Sequence, residues 1–194
     1  MGKIYCIMGK SSSGKDTIYK KLLEDKELNL KQIVSYTTRP IREGEVNGVE
    51  YNFCTREEKE AMLQAGKIIE IRSYDTVHGV WDYFTADDGQ IGEEDCALIG
   101  TLVTYEKLQE HFSKEQVIPI YINVEDGIRL QRALSREMQE VKPKYEEMCR
   151  RFLADCEDFS LEKLDAAGIT DIFQNDSIEN TVAEIKDYIR SMNS

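Results

Sequence analysis

Seven residues near the start of the chain, Gly9-Lys10-Ser11-Ser12-Ser13-Gly14-Lys15, follow the spacing G-x-x-x-x-G-K. Glycines so placed let backbone N–H groups converge on phosphate oxygens, and the lysine adds positive charge. An ordinary Gly/Ser turn could share the pattern, so context decides. The loop must leave a strand and enter a helix. Ile4 to Met8 reads as a buried strand, and Lys15 to about Glu24 reads as a helix with Ile18, Leu22 and Leu23 on one face. Gly9, Ser11, Ser12, Ser13, Gly14, Lys15, Asp16 and Thr17 are therefore candidates for binding a nucleoside triphosphate. The position after the lysine ordinarily holds a Ser or Thr that meets Mg²⁺, but here Asp16 stands there and Thr17 follows. A carboxylate is a good hard-cation ligand and suits a helix start, which makes Asp16 a candidate metal residue, directly or through water. The plainer reading leaves it as an N-terminal helix residue beside a weak site.

A second chemical cluster lies in Ser35-Tyr36-Thr37-Thr38-Arg39-Pro40-Ile41-Arg42, followed by Tyr51. Two arginines three apart, with hydroxyls before and a tyrosine after, can form a phosphate clamp, because guanidinium forks match phosphate oxygens. A turn-rich surface loop with incidental charge is the alternative. Arg129, Arg132, Arg136, Arg150 and Arg151 form another group, so seven of ten arginines fall in two short segments of a chain whose net charge is −12. That clustering suits a small, highly charged anion held locally, although solvated helix faces produce it too. His78 and His111 are too isolated to suggest a catalytic or metal role.

The elements that must position these residues alternate strand and helix. Ile33 to Tyr36 reads as a short second strand. From Thr37 to Gly92 the texture becomes polar and aromatic, with turn signals at Glu43-Gly44, Asn47-Gly48 and His78-Gly79 and a helical stretch from Arg56 to Ala65, as an insertion would look. Strand and helix resume at Cys96 to Gly100, Tyr105 to Phe112, Val117 to Asn123 and Asp126 to Ser135; Pro119 weighs against the strand over Val117 to Asn123 because proline has no ladder donor. Glu137 to Lys144 reads as a mobile connection into a helix from Tyr145 to Asp155, with the function of a lid. A short strand near Ile172 precedes a last helix opened by Asp176 with Glu179 three residues on, and Ile178, Val182, Ile185 and Ile189 recur at helical spacing. The alternation implies a parallel sheet with helices on both faces and a ligand crevice at the carboxyl ends of its strands.

Composition sets outer limits. At 194 residues, 41% hydrophobic and 32% charged, one folded domain is expected. The acidic balance argues against a nucleic-acid polymer or anionic lipid as partner. No apolar run approaches the ~20 residues that cross a bilayer, and Lys3 to Met8 is too short and polar for a signal peptide, so a cytoplasmic protein is expected. Five cysteines without a C-x-x-C pair suggest reduced thiols.

Over Ser35 to Tyr51 the chain closely resembles guanylate kinase, whose S-x-T-T-R-x-x-R-x-G-E-x-x-G-x-x-Y signature is almost complete here, and the resemblance extends from Lys3 to the last helix. It implies an α/β P-loop NTPase fold with an inserted acceptor-binding subdomain and a mobile lid: core 1–35 and 93–194, insertion 36–92, lid about 129–151. It implies that Ser35, Arg39, Arg42 and Tyr51 bind the acceptor phosphate, that Glu70 reads guanine, and that Thr85 and Tyr83 complete the acceptor site. Arg132 and Arg136 resemble the family's lid arginines, with Arg151, or its neighbour Arg150, as a third. The chemistry agrees for Glu70, since one carboxylate can accept guanine N1–H and N2–H together. A surface ion pair for Glu70 and a turn hydroxyl for Thr85 are the alternatives. Two departures stand out: the stretch Ile71 to Phe84 is long, and the family's Asp-x-Asp is replaced by Ile99 and Thr101. The resemblance implies ATP-dependent, Mg²⁺-assisted phosphorylation of GMP or dGMP by a monomer or homodimer. A kinase for a phosphorylated sugar such as ribose bisphosphate, and a non-catalytic binding module, are the rival readings.

Overall fold

A computed structural model describes residues 2–76 and 79–192. In chain order it contains β1 (Ile4–Met8), α1 (Lys15–Leu23), β2 (Lys31–Gln32), β3 (Tyr36–Thr37), β4 (Asn52–Phe53), α2 (Arg56–Gln64), β5 (Ile68–Thr76) and β6 (Gly79–Ala86). Then follow β7 (Cys96–Ile99), α3 (Leu102–His111), β8 (Val117–Asn123), α4 (Asp126–Glu137), α5 (Tyr145–Asp158), α6 (Leu161–Ala166), β9 (Ile172–Gln174) and α7 (Ile178–Met192).

The central sheet has the order β2-β7-β1-β8-β9 and is parallel throughout. Every residue of β1 is buried, because helices cover both faces of its strand. Ile4, Cys6 and Met8 face a core completed by Leu102, Tyr105 and Leu108 of α3 and by Leu164 of α6. Tyr5 and Ile7 face the opposite core, with Ile18, Tyr19 and Leu22 of α1 and Ile185 and Ile189 of α7. No helix among the described residues is long and apolar enough to cross a membrane.

Pro119 does lie inside β8, and the register explains why it is tolerated. Ile4 N–H donates to the Gln116 carbonyl, so in the parallel ladder Gln116 and Ile118 turn to β1 while Pro119 turns the other way. On that side β9 begins only opposite Tyr121. The missing donor therefore falls where β8 is still an edge.

The insertion forms a second sheet, β4-β3-β6-β5. β5 and β6 make a long antiparallel hairpin whose pairs run from Ile68 and Ala86 to Thr76 and Gly79; His78 lies outside the described residues. The expected strand over Ile33 to Tyr36 is in fact two pieces in two sheets. Lys31 and Gln32 pair with β7, Ile33 is buried in the core, and Tyr36 and Thr37 already pair with β6. Side-chain alternation cannot show where one strand leaves a sheet for another.

Two helix starts differ from expectation. α7 is capped by Ser177, whose Oγ accepts the Asn180 N–H at 3.4 Å, not by Asp176. α3 begins at Leu102 rather than Tyr105, because Thr101 caps it: Oγ1 accepts the Thr104 N–H at 3.2 Å. Thr101→Ala should therefore lower unfolding free energy by about 1 kcal/mol, whereas Thr101→Ser, which keeps the capping hydroxyl, should stay near the parent. Urea titrations of both variants check this, and equal losses would show that the cap is not what Thr101 supplies.

Candidate active site

The loop between β1 and α1 has the geometry of an anion cradle. A Cβ on Gly9 would sit 2.5 Å from the Ile122 carbonyl oxygen, so β8 permits only glycine at that close approach. Gly14 adopts φ 85° and serves as the N-cap of α1 without a side-chain cap, which leaves first-turn N–H groups for a ligand. The Ser13 hydroxyl is buried with no hydrogen-bond partner among the described residues, and an orphan donor in such a loop fits a phosphate oxygen. Lys15 Nζ lies 3.5 Å from Asp16 Oδ2, whose side chain is 73% exposed. Ser12, Gly14, Asp16, Thr17, Arg132, Arg136 and Ile178 line a cleft of about 590 Å³ beside the loop.

Three arginines converge on the loop from α4 and α5. Arg132 Nη1 donates to the Ser12 carbonyl at 3.4 Å, Arg136 Nη2 reaches Ser12 Oγ at 3.5 Å, and Arg151 Nη2 reaches Ser11 Oγ at 3.3 Å. Arg150 instead pairs with Glu147 at 2.7 Å, one turn away on the same helix. The third arginine at the loop is thus Arg151.

Three residues that the sequence did not single out hold the loop in place. Arg129 is 1% exposed; its Nη1 donates to the Ser11 carbonyl at 3.0 Å, its Nη2 donates to Asp126 Oδ1 at 2.7 Å, and its guanidinium lies 4.6 Å from the Phe152 ring centroid. Asp155 accepts the Ser11 N–H at 2.7 Å. From the other side, buried Asn175 donates to the Ser13 carbonyl at 2.7 Å, and the same amide would meet a Cβ on Gly14 at 2.6 Å. Asn175 follows β9 directly, and a loop anchor 162 residues away leaves no local sequence signal.

The acceptor candidates gather on one face of the insertion sheet. Cross-strand register sets Glu70 opposite Thr85 and Arg72 opposite Tyr83. Ser35 Oγ lies 3.5 Å from Thr85 Oγ1, and Tyr51 packs edge-on against Tyr83 with centroids 5.6 Å apart. Arg39, 4% exposed, sits over the Tyr51 and Phe53 rings at 5.2 and 5.1 Å, and Glu45 grips its fork at 2.7 and 2.6 Å. Arg42 is exposed and adds its backbone N–H to Glu45 at 2.8 Å. Glu70 is buried; it accepts from Thr85 Oγ1 at 3.0 Å, from Thr104 Oγ1 at 3.4 Å and from Arg72 Nε at 3.1 Å. The two residues at the end of β7 that replace the expected acids both have partners. Ile99 packs against the core around Tyr5 and Ile18, and Thr101 Oγ1 lies 3.0 Å from Thr104 Oγ1, one step from Glu70.

The model of the guanylate kinase family matches residues 1–192. This chain is a member of the guanylate kinase family. A curated guanylate kinase from Enterococcus faecalis (strain ATCC 700802 / V583) is 42% identical over 73 residues, 38% of this chain and 36% of that relative. The match thus spans about a third of the relative's length. A solved guanylate kinase from Anaplasma phagocytophilum aligns with TM-score 0.65 and 25% identity over 98% of this chain and 85% of its own. Family membership accounts for the α/β fold with its parallel sheet flanked by helices. His111, on α3, lies 3.3 Å from the exposed Asp87.

The Arg39–Glu45 pair makes a pH dependence. Hydrogen bonds from the Arg39 fork hold the Glu45 carboxyl at about 2, below its ordinary value of 4.5. A depressed folded-state value stabilises the protein fully above the unfolded value, and that contribution is lost as pH falls toward 2. Glu45→Gln should therefore flatten the fall of stability between about pH 4.5 and 2. Urea midpoints across that range check this; an unchanged slope would assign acid sensitivity to other carboxylates.

Proposed function

We propose that the chain transfers the γ-phosphoryl group of ATP to the phosphate of a guanine nucleoside monophosphate, GMP or dGMP, giving ADP and the diphosphate. The observation that carries this reading is the approach of Arg132, Arg136 and Arg151 to Ser11 and Ser12 of the phosphate loop. A non-catalytic binding module has no need of three cations around a loop whose lysine is retained.

The acceptor phosphate, with a second pKa near ~6, is a nucleophile at neutral pH and requires no general base. Catalysis is then alignment and charge neutralisation. Loop N–H groups, the Ser13 hydroxyl and Lys15 hold the donor phosphates. Arg39, Arg42, Ser35, Tyr51 and Tyr83 hold the acceptor phosphate, while Glu70 and Thr85 lie farther along the same face, where the base would lie. Arg132, Arg136 and Arg151 spread charge over the transferring group. We place the lid over about 129–151, with the helices that carry these arginines closing over the donor to exclude water.

Mg²⁺ suits the donor set. It usually keeps several waters and uses one or two carboxylates plus substrate phosphates, and Asp16 offers one exposed carboxylate beside Lys15. Among the described residues no group of three acidic, His or Cys side chains forms an all-protein cage. Asp16, with Thr17 beside it, would hold the ion, which supplies charge neutralisation on the donor phosphates.

Two measurements test this assignment. Arg39→Ala should raise the acceptor KM, and lower kcat/KM by roughly tenfold or more, while leaving the KM for ATP close to the parent, because a charge-assisted contact is worth about 1.5–3 kcal/mol. Lys15→Ala should remove nearly all transfer. Equal losses toward both substrates in Arg39→Ala would move that residue out of the acceptor site.

Asp16→Ser should raise the Mg²⁺ concentration needed for half-maximal rate, and restoring Asp at Ile99 should not be needed by the parent but should partly rescue the variant. This follows from a site that keeps one carboxylate at the helix start where the family places its acids at the strand end. If Asp16→Ser matches the parent at every Mg²⁺ concentration, Asp16 has no metal role.

A further inference from the structure

The carboxylate assigned to guanine has little capacity left for a ligand. Glu70 Oε1 accepts from Thr85 Oγ1 at 3.0 Å, Thr104 Oγ1 at 3.4 Å and Arg72 Nη2 at 3.4 Å, and Oε2 accepts from Arg72 Nε at 3.1 Å. Each carboxylate oxygen has about two lone-pair sites, so three donors crowd Oε1 while Oε2 keeps one site open, and a ligand's paired donors could not engage both oxygens together. Burial sorts the members of the cluster. The Glu70 side chain is 1% exposed and both threonines are buried, but the Arg72 side chain is 23% exposed. The cationic half of the pair is the half that solvent reaches.

Arg72 directs Nε–H and one Nη2–H to Glu70, and among the described residues its hydrogen bonds go to no other partner. A guanidinium has five N–H donors in a planar fork. The Nη edge therefore remains available in a plane that Glu70 fixes from behind. Position fits a base contact as well. Arg72 stands opposite Tyr83, and Tyr83 touches Tyr51, over which Arg39 lies, so base and phosphate contacts would share one sheet face.

Resting on the assignment of this cleft to a nucleoside monophosphate acceptor, we propose that Arg72 is the specificity-determining residue. In this arrangement Glu70 is a positioning residue that orients it, and the acceptor class is a 6-oxopurine nucleotide recognised through O6 and N7. Those two atoms are adjacent acceptors that an arginine fork meets bidentately. Adenine presents N7 beside an N6 amino donor, which would oppose the fork. The N1–H and N2–H edge of guanine makes no contact in this arrangement, so hypoxanthine, which lacks only the N2 amino group, should serve as well as guanine.

The experiment uses the full chain with ATP and Mg²⁺ and four acceptors: GMP, inosine monophosphate, 7-deaza-GMP and AMP. ADP release gives kcat/KM, and calorimetric binding of each nucleotide gives a readout independent of turnover. The expected order is GMP about equal to inosine monophosphate, with 7-deaza-GMP lower by about tenfold for the lost N7 contact and AMP lower still. In Arg72→Met the gap between GMP and 7-deaza-GMP should vanish, and in Arg72→Lys, which lacks the fork, it should shrink. A merely structural arginine would lower all acceptors in parallel and leave that ratio unchanged. If GMP exceeds inosine monophosphate tenfold or more while 7-deaza-GMP matches GMP, Glu70 reads the N1 and N2 edge and the role given to Arg72 is wrong. If no purine monophosphate binds or accepts phosphate, the acceptor assignment itself fails and this inference fails with it.

Discussion

A guanidinium taken almost wholly out of water must have its donors met, and Arg129 is that group here. Its fork joins the Ser11 carbonyl to Asp126, while Asp155 takes the Ser11 N–H, so one residue of the loop is gripped on both sides by α4 and α5. Arg129 is buried but Asp126 is half exposed, so removing Asp126 leaves the guanidinium less compensated at a cost that solvent screening reduces. The consequence is positional. The helices that bear Arg132, Arg136 and Arg151 are registered to the loop by Arg129, so the exposed arginines need only short reaches to meet Ser11 and Ser12. Asn175 performs the matching task from β9. The loop conformation is thus set by three separate chain segments as well as by its own glycines.

The acceptor half depends on a different constraint, the period-two alternation of a sheet. Because β5 and β6 pair without a slip from Glu70 and Thr85 to Thr76 and Gly79, side chains on alternate residues share one face. Glu70 and Arg72 meet Thr85 and Tyr83 there, and Ser35 and Tyr51 join from the flanking strands. A shift by one residue would turn the whole set away from the cleft. The irregularity between Ile68 and Glu70 is confined to the hairpin base, where Ile69 packs against the core.

Much of this was legible in the sequence, for identifiable reasons. The phosphate loop is a local object: its glycines, lysine and flanking strand and helix are contiguous, so spacing carries its geometry. The signature over Ser35 to Tyr51 is nearly as compact. Arg129 is visible only as one of a charged group, because helical periodicity assigns charge to solvent and cannot show a guanidinium one of whose partners, Ser11, lies 118 residues away. Asn175 and Thr104 were silent for the same reason. The boundary within 31–37 has no sequence signal because one extended stretch serves two sheets, and Pro119 is tolerated through sheet neighbours that the sequence does not name.

The replacement of the family's two acids makes sense at the level of charge around Glu70. A buried carboxylate costs several kcal/mol in desolvation unless hydrogen bonds or an opposite charge compensate it. A second acid at Thr101 would lie near Glu70 by way of Thr104, and like charges so placed disfavour ionisation of both. With a hydroxyl at Thr101, the chain Thr101, Thr104, Glu70, Thr85, Ser35 runs through neutral hydroxyls around a single anion, and Arg72 supplies its one counter-charge. Loss of the acid and presence of the arginine are then two parts of one change: the cluster moves from net negative toward neutral. Its exposed edge becomes a hydrogen-bond donor instead of an acceptor. Glu70 taken alone suggests one ligand edge, and Glu70 taken with its four donors suggests the opposite one.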